Sequence, residues 1–208
     1  MPDPALEQAI REAYAAAPSD TVILHTLELR HPAFVDDAGD ASAIRVVRNF
    51  ADQLSWSGQG GAEVEAVLDA LPADARDRVG LVARLEADAP MDAGRMVPFI
   101  ALGFELDLPP VDTAPVPEIA VTLDNVGREI VRHLDTAAES LQTIAITYRP
   151  YLSTDLEGPQ MDPPITLTLT EVEADVFRAT GRARMLDIGN RAFPGETYTA
   201  SRFPGLTR

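Results

Sequence analysis

The sequence has no cysteine, and its 17 Lys and Arg are outweighed by 33 Asp and Glu among 208 residues, a formal net charge of −16. The missing thiol removes disulfides, a cysteine nucleophile and any zinc or iron–sulfur centre built on cysteine ligands, while leaving the redox compartment open. Basic residues are nowhere concentrated, which argues against sequence-specific binding to duplex DNA or RNA, because an acidic surface repels polyphosphate. No apolar run approaches the ~20 residues of a membrane-spanning helix, and Met1-Pro2-Asp3-Pro4-Ala5 has neither a basic n-region nor an apolar h-region. We therefore expect no membrane insertion, and synthesis in the cytoplasm. What is present is a 46% hydrophobic content, enough for a packed core in a single domain spanning 1–208.

The spacing predicts a first helix, capped by Asp3 with Pro4 in its first turn and carrying Leu6, Ile10, Tyr14 and Ala17 at three- to four-residue intervals. Strands are expected at 21–30, stopped by Pro32, and at 44–48. The loop-like Ser57-Gly58-Gln59-Gly60-Gly61 and the Ala/Glu/Val/Leu-rich 62–71 read as an inserted helical segment at about 52–80. Its apolar side (Val64, Val67, Leu68, Leu71) must bury against something, an outer wall or a neighbouring component, and removal of the segment is expected to leave the core folded.

Further strands are expected at 81–86, 96–107, 119–123, 143–149 and 165–170. The last should pair with 175–184 across an acidic turn at Glu171-Val172-Glu173-Ala174. The proline-dense 109–117 reads as an extended connector, and 150–164, with four prolines, as a long loop. A helix capped by Asp124 or Asn125 carries Val126, Ile130, Leu134 and Leu141. Strands follow one another without regular helical crossovers. The expected fold is therefore mainly β (α+β), an antiparallel sandwich or barrel with flanking helices.

Few residues suggest chemistry. His25 shares a predicted strand face with Ile23 and Leu27, as a core or interface histidine; His31 ends that strand; His133 follows Glu129 by four residues, the spacing of a surface pair. Asp36, Asp37 and Asp40 lack the ligand pattern of a calcium loop and read as a solvated turn. The glycine cluster at 57–61 has no lysine beside it and reads as a flexible joint, not a phosphate cradle. Glu171, Glu173 and Asp175 alternate at the predicted hairpin; an acid–base pair such as Glu171 with Asp175 would need one carboxyl in apolar surroundings. No residue is assigned a catalytic, cofactor-binding or metal-binding role. Aromatic residues stand out in expected loops: Tyr148-Arg149-Pro150-Tyr151-Leu152, Phe193, Tyr198 and Phe203, placed to cap a sandwich or to meet another chain.

Dispersed segments carry a family likeness: Pro4-Ala5-Leu6 to Tyr14, Leu27-Glu28-Leu29-Arg30-His31-Pro32, Asp124-Asn125-Val126, Thr147-Tyr148-Arg149-Pro150-Tyr151-Leu152, and Phe193-Pro194 through Phe203-Pro204-Gly205-Leu206. Together they resemble uncharacterised minor tail proteins of tailed phages and prophages, encoded near the tape-measure and tail-tip genes of long non-contractile tails. Only about 52–80 departs from the likeness. The resemblance implies a tail-tube-like β-sandwich similar to distal tail proteins. It further implies a ring, hexameric or else trimeric as in a hub, joining tube, hub protein and fibres at the tip of the virion. DNA would pass through such a ring unbound, and an acidic wall suits that passage. A reading of another class is a hydrolase of cell-wall material or polysaccharide using Glu171 and Asp175. The family has no catalytic residues to carry over.

Overall fold

In a computed structural model the placed residues are 21–36, 38–48, 61–107, 118–124, 128–138, 140, 142–174 and 178–185, and all structural statements refer to these. The expected first helix, the 109–117 connector and the aromatic segment from 193 onward lie outside them.

The strands are β1 (Ile23–Val35), β2 (Ala41–Val47), β3 (Val79–Arg84), β4 (Met96–Ala101), β5 (Phe104–Asp107), β6 (Glu118–Asp124), β7 (Ile144–Leu152), β8 (Ile165–Ala174) and β9 (Arg178–Met185). The helices are α1 (Ala62–Asp69), α2 (Ala73–Arg76) and α3 (Arg128–Ala138). The fold is mainly β, as expected. All nine strands join one sheet in the order β3-β4-β2-β1-β7-β8-β9-β6-β5, which does not close into a barrel. Every pairing is antiparallel except β2 with β4.

Alternation along β1 builds two different faces. On one, Leu27 and Leu29 lie opposite Tyr148 and Ile146 of β7 and Val46 and Ile44 of β2. These residues, with Phe104, Val121, Leu123, Leu167, Leu169 and Ala183 from the β8–β5 end and Leu134 and Ala137 of α3, form the main core. The sheet must therefore curl over this face until β6 and β1 share a core.

On the opposite face, Leu24, Val47 and Tyr151 bury against Leu81, Ala83, Leu85, Val97 and Phe99 of the β3–β4 end. The two ends of one sheet thus wrap opposite faces, around two separate cores. The β3 edge is partly closed where the Arg84 amide donates to the Leu156 carbonyl at 2.9 Å.

Several boundaries differ from the sequence expectations for local reasons. Pro32 does not stop β1, because the ladder with β7 ends at Arg30 and that with β2 is irregular between Arg30 and Val35, so no hydrogen bond is asked of its nitrogen. Pro150 likewise lies inside β7. Its carbonyl accepts from the Gln160 amide at 2.8 Å, on the side away from β1 and beyond the last β8 partner, Tyr148.

Tyr148 to Leu152 are therefore strand, with Tyr148 and Tyr151 buried, rather than an aromatic loop. The expected strand at 96–107 is two strands, broken at Leu102-Gly103. Glu171 to Ala174 are not a turn but the end of β8, which bulges between Leu169 and Glu171.

The segment at 52–80 is less separable than its composition suggests. Val79 and Gly80 belong to β3. The buried Val64 and Leu68 of α1 pack on Val79 and Val82, with Val67, Leu71, Met96 and Ile100 around them. The apolar side of α1 is covered by its own sheet.

Candidate functional site

The most concentrated chemistry in the described chain was not anticipated from the sequence. On the face of β1 opposite the main core, Glu28 and Arg30 stand beside Arg45 of β2 and Arg149 of β7, since the register pairs Glu28 with Arg45 and Thr26 with Arg149. The β3–β4 connection supplies two more charges, Glu86 and Asp92. It is fastened by the Leu85 amide to the Arg95 carbonyl at 3.0 Å and the Gly94 amide to the Glu86 carbonyl at 2.9 Å.

Glu28 is fully buried and serves three guanidiniums. Arg45 Nε donates to its Oε2 at 2.8 Å, while Arg30 Nε and Arg149 Nη1 approach its Oε1 to 3.1 and 3.3 Å. The last two contacts lack hydrogen-bond alignment and act through charge. Arg149, also fully buried, forms a two-pronged pair with Glu86, Nε to Oε2 at 2.7 Å and Nη2 to Oε1 at 2.6 Å. Arg45 Nη2 donates to Asp92 Oδ2 at 2.8 Å. Asp92 has φ +54°, a left-handed conformation that Asp tolerates better than most residues, and the Arg45 contact holds it there.

Three guanidiniums, Arg30, Arg45 and Arg149, thus meet three carboxylates, Glu28, Glu86 and Asp92, and the exposed Arg95 adds a fourth contact at Asp92 Oδ1, 3.4 Å away. Thr26 Oγ1 donates to the Arg149 carbonyl at 2.7 Å, and the Tyr151 hydroxyl donates to the Arg84 carbonyl at 3.0 Å. Burial pushes the Tyr151 phenol well above its usual range. Burial alone would also raise Glu86, but the Arg149 hydrogen bonds, a backbone hydrogen bond and the charges of Arg149 and Arg30 together outweigh it and hold the carboxyl below its ordinary value. These charges are committed to one another, with Glu28 and Arg149 sealed from solvent. The arrangement fixes where β1, β2, β7 and the β3–β4 connection sit relative to each other.

The histidines fall elsewhere. His25 lies on the core side of β1, its Nδ1 2.7 Å from the Tyr148 hydroxyl and its ring stacked on the Tyr148 ring at 6.0 Å. Burial first, and Arg48 second, hold its pKa below the usual value. His31 Nδ1 accepts from the Ala33 amide at 3.0 Å and Nε2 donates to the Gln142 carbonyl at 3.2 Å, which fixes one neutral tautomer. His133 is buried, with its ring 5.3 Å from Phe34, rather than exposed as half of a surface pair; it lies on the face of α3 that carries Leu134 and Ala137.

Among the described residues no group of three or more potential metal ligands occurs. Asp36 Oδ1 closes the 36–40 turn, accepting from the amides of Ala38 and Asp40 at 2.9 Å each, and Asp37 lies outside the described residues. Of the 57–61 glycine cluster only Gly61 is described, as the residue before α1. Glu171 is exposed, 3.6 Å from Arg182 Nε, without the apolar surroundings a proton-donating carboxyl requires, and Asp175 is outside the described residues.

The sequence did hold a signal for the buried network. Thr26, Glu28 and Arg30 alternate with Leu27 and Leu29, and Thr147 and Arg149 alternate with Ile146 and Tyr148. That pattern ordinarily marks a solvent-facing side.

No curated protein matches the chain. The model of a family described as "Domain of unknown function (DUF1833)" matches residues 9–198, and the chain belongs to that family.

Proposed function

We propose that the chain is a structural component of a long non-contractile phage tail, a ring-forming distal tail protein that joins the tail tube to the hub and fibres. One observation carries the reading. Two of the dispersed segments that carry the tail-protein resemblance, 27–32 and 147–152, lie side by side in β1 and β7. Their charged residues Glu28 and Arg149 are sealed from solvent and pair with one another, with Arg30 and with Glu86, so the two buried charges serve the packing of the strands. Residues used this way preserve a shape, and shape is what a ring subunit must keep. The charge of −16 supports the same reading, since a channel for DNA should not hold phosphate.

Electron microscopy of tails labelled with antibody against the protein tests this directly: label at the tail tip is expected, and label confined to the capsid or absent from virions would end the proposal. A cell-wall hydrolase is the reading of another class. Zymography on peptidoglycan is expected to give no clearing; clearing abolished by Glu171→Gln would favour the hydrolase.

A further inference from the structure

Beside the buried network the molecule opens into a cleft of about 580 Å³, between the far end of the β1–β7 pair and the β3–β4 connection. Its lining includes the polar Arg30, His31, Gln142 and Thr143 and the apolar Pro32, Pro90, Met91 and Ala145. The volume falls within the range of small-molecule sites, which combine apolar walls with a few polar groups that fix orientation.

Arg30 is the cation at this cleft, and the network spends it incompletely. Its Nε lies 3.1 Å from Glu28 Oε1 without hydrogen-bond alignment, and its Nη2 donates to Thr147 Oγ1 at 3.0 Å. Among the described residues none is placed against Nη1, which is the donor a ligand would meet. Arg45 and Arg149, in contrast, each have a second carboxylate, Asp92 and Glu86. The side chain of Arg30 retains 17% exposure, against 0% for Arg149, so of the two it is the one a ligand reaches.

We propose that this cleft binds a carboxylate with a short apolar body, held by the Arg30 guanidinium and seated against Pro32, Pro90 and Met91. A monoanion fits better than a phosphate dianion, because Glu28 already offsets much of the Arg30 charge and the described lining holds no second Arg. The carboxylate can come from a free short-chain acid or from an acidic residue on a polypeptide. The inference does not depend on the tail assignment.

The test is a nitrogen-15 NMR titration of the full chain with propionate, with N-acetyl-glutamate amide and with inorganic phosphate. Saturable shifts are expected at Arg30, Thr143 and Ala145, with either carboxylate binding more tightly than phosphate; the tighter of the two identifies the source. Arg30→Met should weaken binding about tenfold, the usual scale for losing one charge-assisted hydrogen bond, while Arg30→Lys should retain part of it. Met91→Trp, which leaves the network intact, should block binding by filling the cleft, and keeps the test decisive if Arg30→Met fails to fold. No saturable shift, equal binding by Arg30→Met and Met91→Trp, or preference for phosphate would overturn the proposal.

Discussion

Arg149 holds two carboxylates, Glu28 and Glu86, in a site from which water is excluded. Replacing it with Met leaves Glu86 without its two-pronged partner, while Glu28 keeps Arg45 and Arg30, and breaking a buried pair in this way costs on the order of 3–5 kcal/mol. Arg149→Met should lower the urea midpoint accordingly, and adding Glu86→Leu should recover part of the loss; equal stability of wild type and Arg149→Met would show that the network contributes nothing. The pH dependence follows from two groups. Glu86 is held below its ordinary value of 4.5, so its contribution is complete above that value and is lost as pH falls through its lowered value in the folded chain. His25 is also held below its ordinary 6.5, which favours the neutral ring in the fold and is lost on acidification in the same sense. Urea midpoints should therefore decline from about pH 6 downward and steepen below about pH 4.5. Glu86→Gln should flatten the lower part of that profile, and an unchanged profile in this variant would remove Glu86 from the explanation.

At the scale of elements, one glycine and one helix are places where the sheet tolerates little. A methyl on Gly181 would stand 2.7 Å from Leu169 Cδ1 and 3.0 Å from the Glu171 carbonyl, beside the β8 bulge. The side chain can move but the backbone oxygen cannot easily do so, and Gly181→Ala should cost about 1–3 kcal/mol in urea denaturation. A stable Gly181→Ala would mean that β8 and β9 have room to spread. Leu68 of α1 is buried on Val79 and Val82, and Leu68→Ala should cost about 2–5 kcal/mol. That outcome, read by thermal unfolding, would show α1 to be part of the fold, whereas an unchanged transition would restore the view of 52–80 as a removable addition.

Much of this level was legible in the sequence. The strands at 44–48, 81–86, 119–123 and 165–170 and the helices at 62–71 and after 126 were read to within a few residues, because alternation and helical spacing follow from which side is buried. The prolines misled, since Pro32 and Pro150 stand where no ladder bond is required, and strand periodicity cannot reveal that. The charged face of β1 and β7 misled for a related reason. Polar residues alternating with apolar ones imply water on one side, and only the β3–β4 connection arriving from far along the chain, with Glu86 and Asp92, converts that side into an interior.

The described residues form one sheet wrapped around two main cores on opposite faces, with a smaller cluster under α1. Arg178, Arg182 and Arg184 fall at alternating positions of β9, and the register pairs Arg182 with Glu171 of β8, whose side chains are both exposed. In a ring, the excess acidic residues should lie toward the channel and such mixed rows toward other subunits. The account stands or falls most directly on a cryo-electron microscopy reconstruction of the tail tip. It predicts a closed ring of this chain, six copies or else three, encircling the axis with acidic residues on the lumen wall. A tail tip without the chain, or copies that form no closed ring, would contradict it.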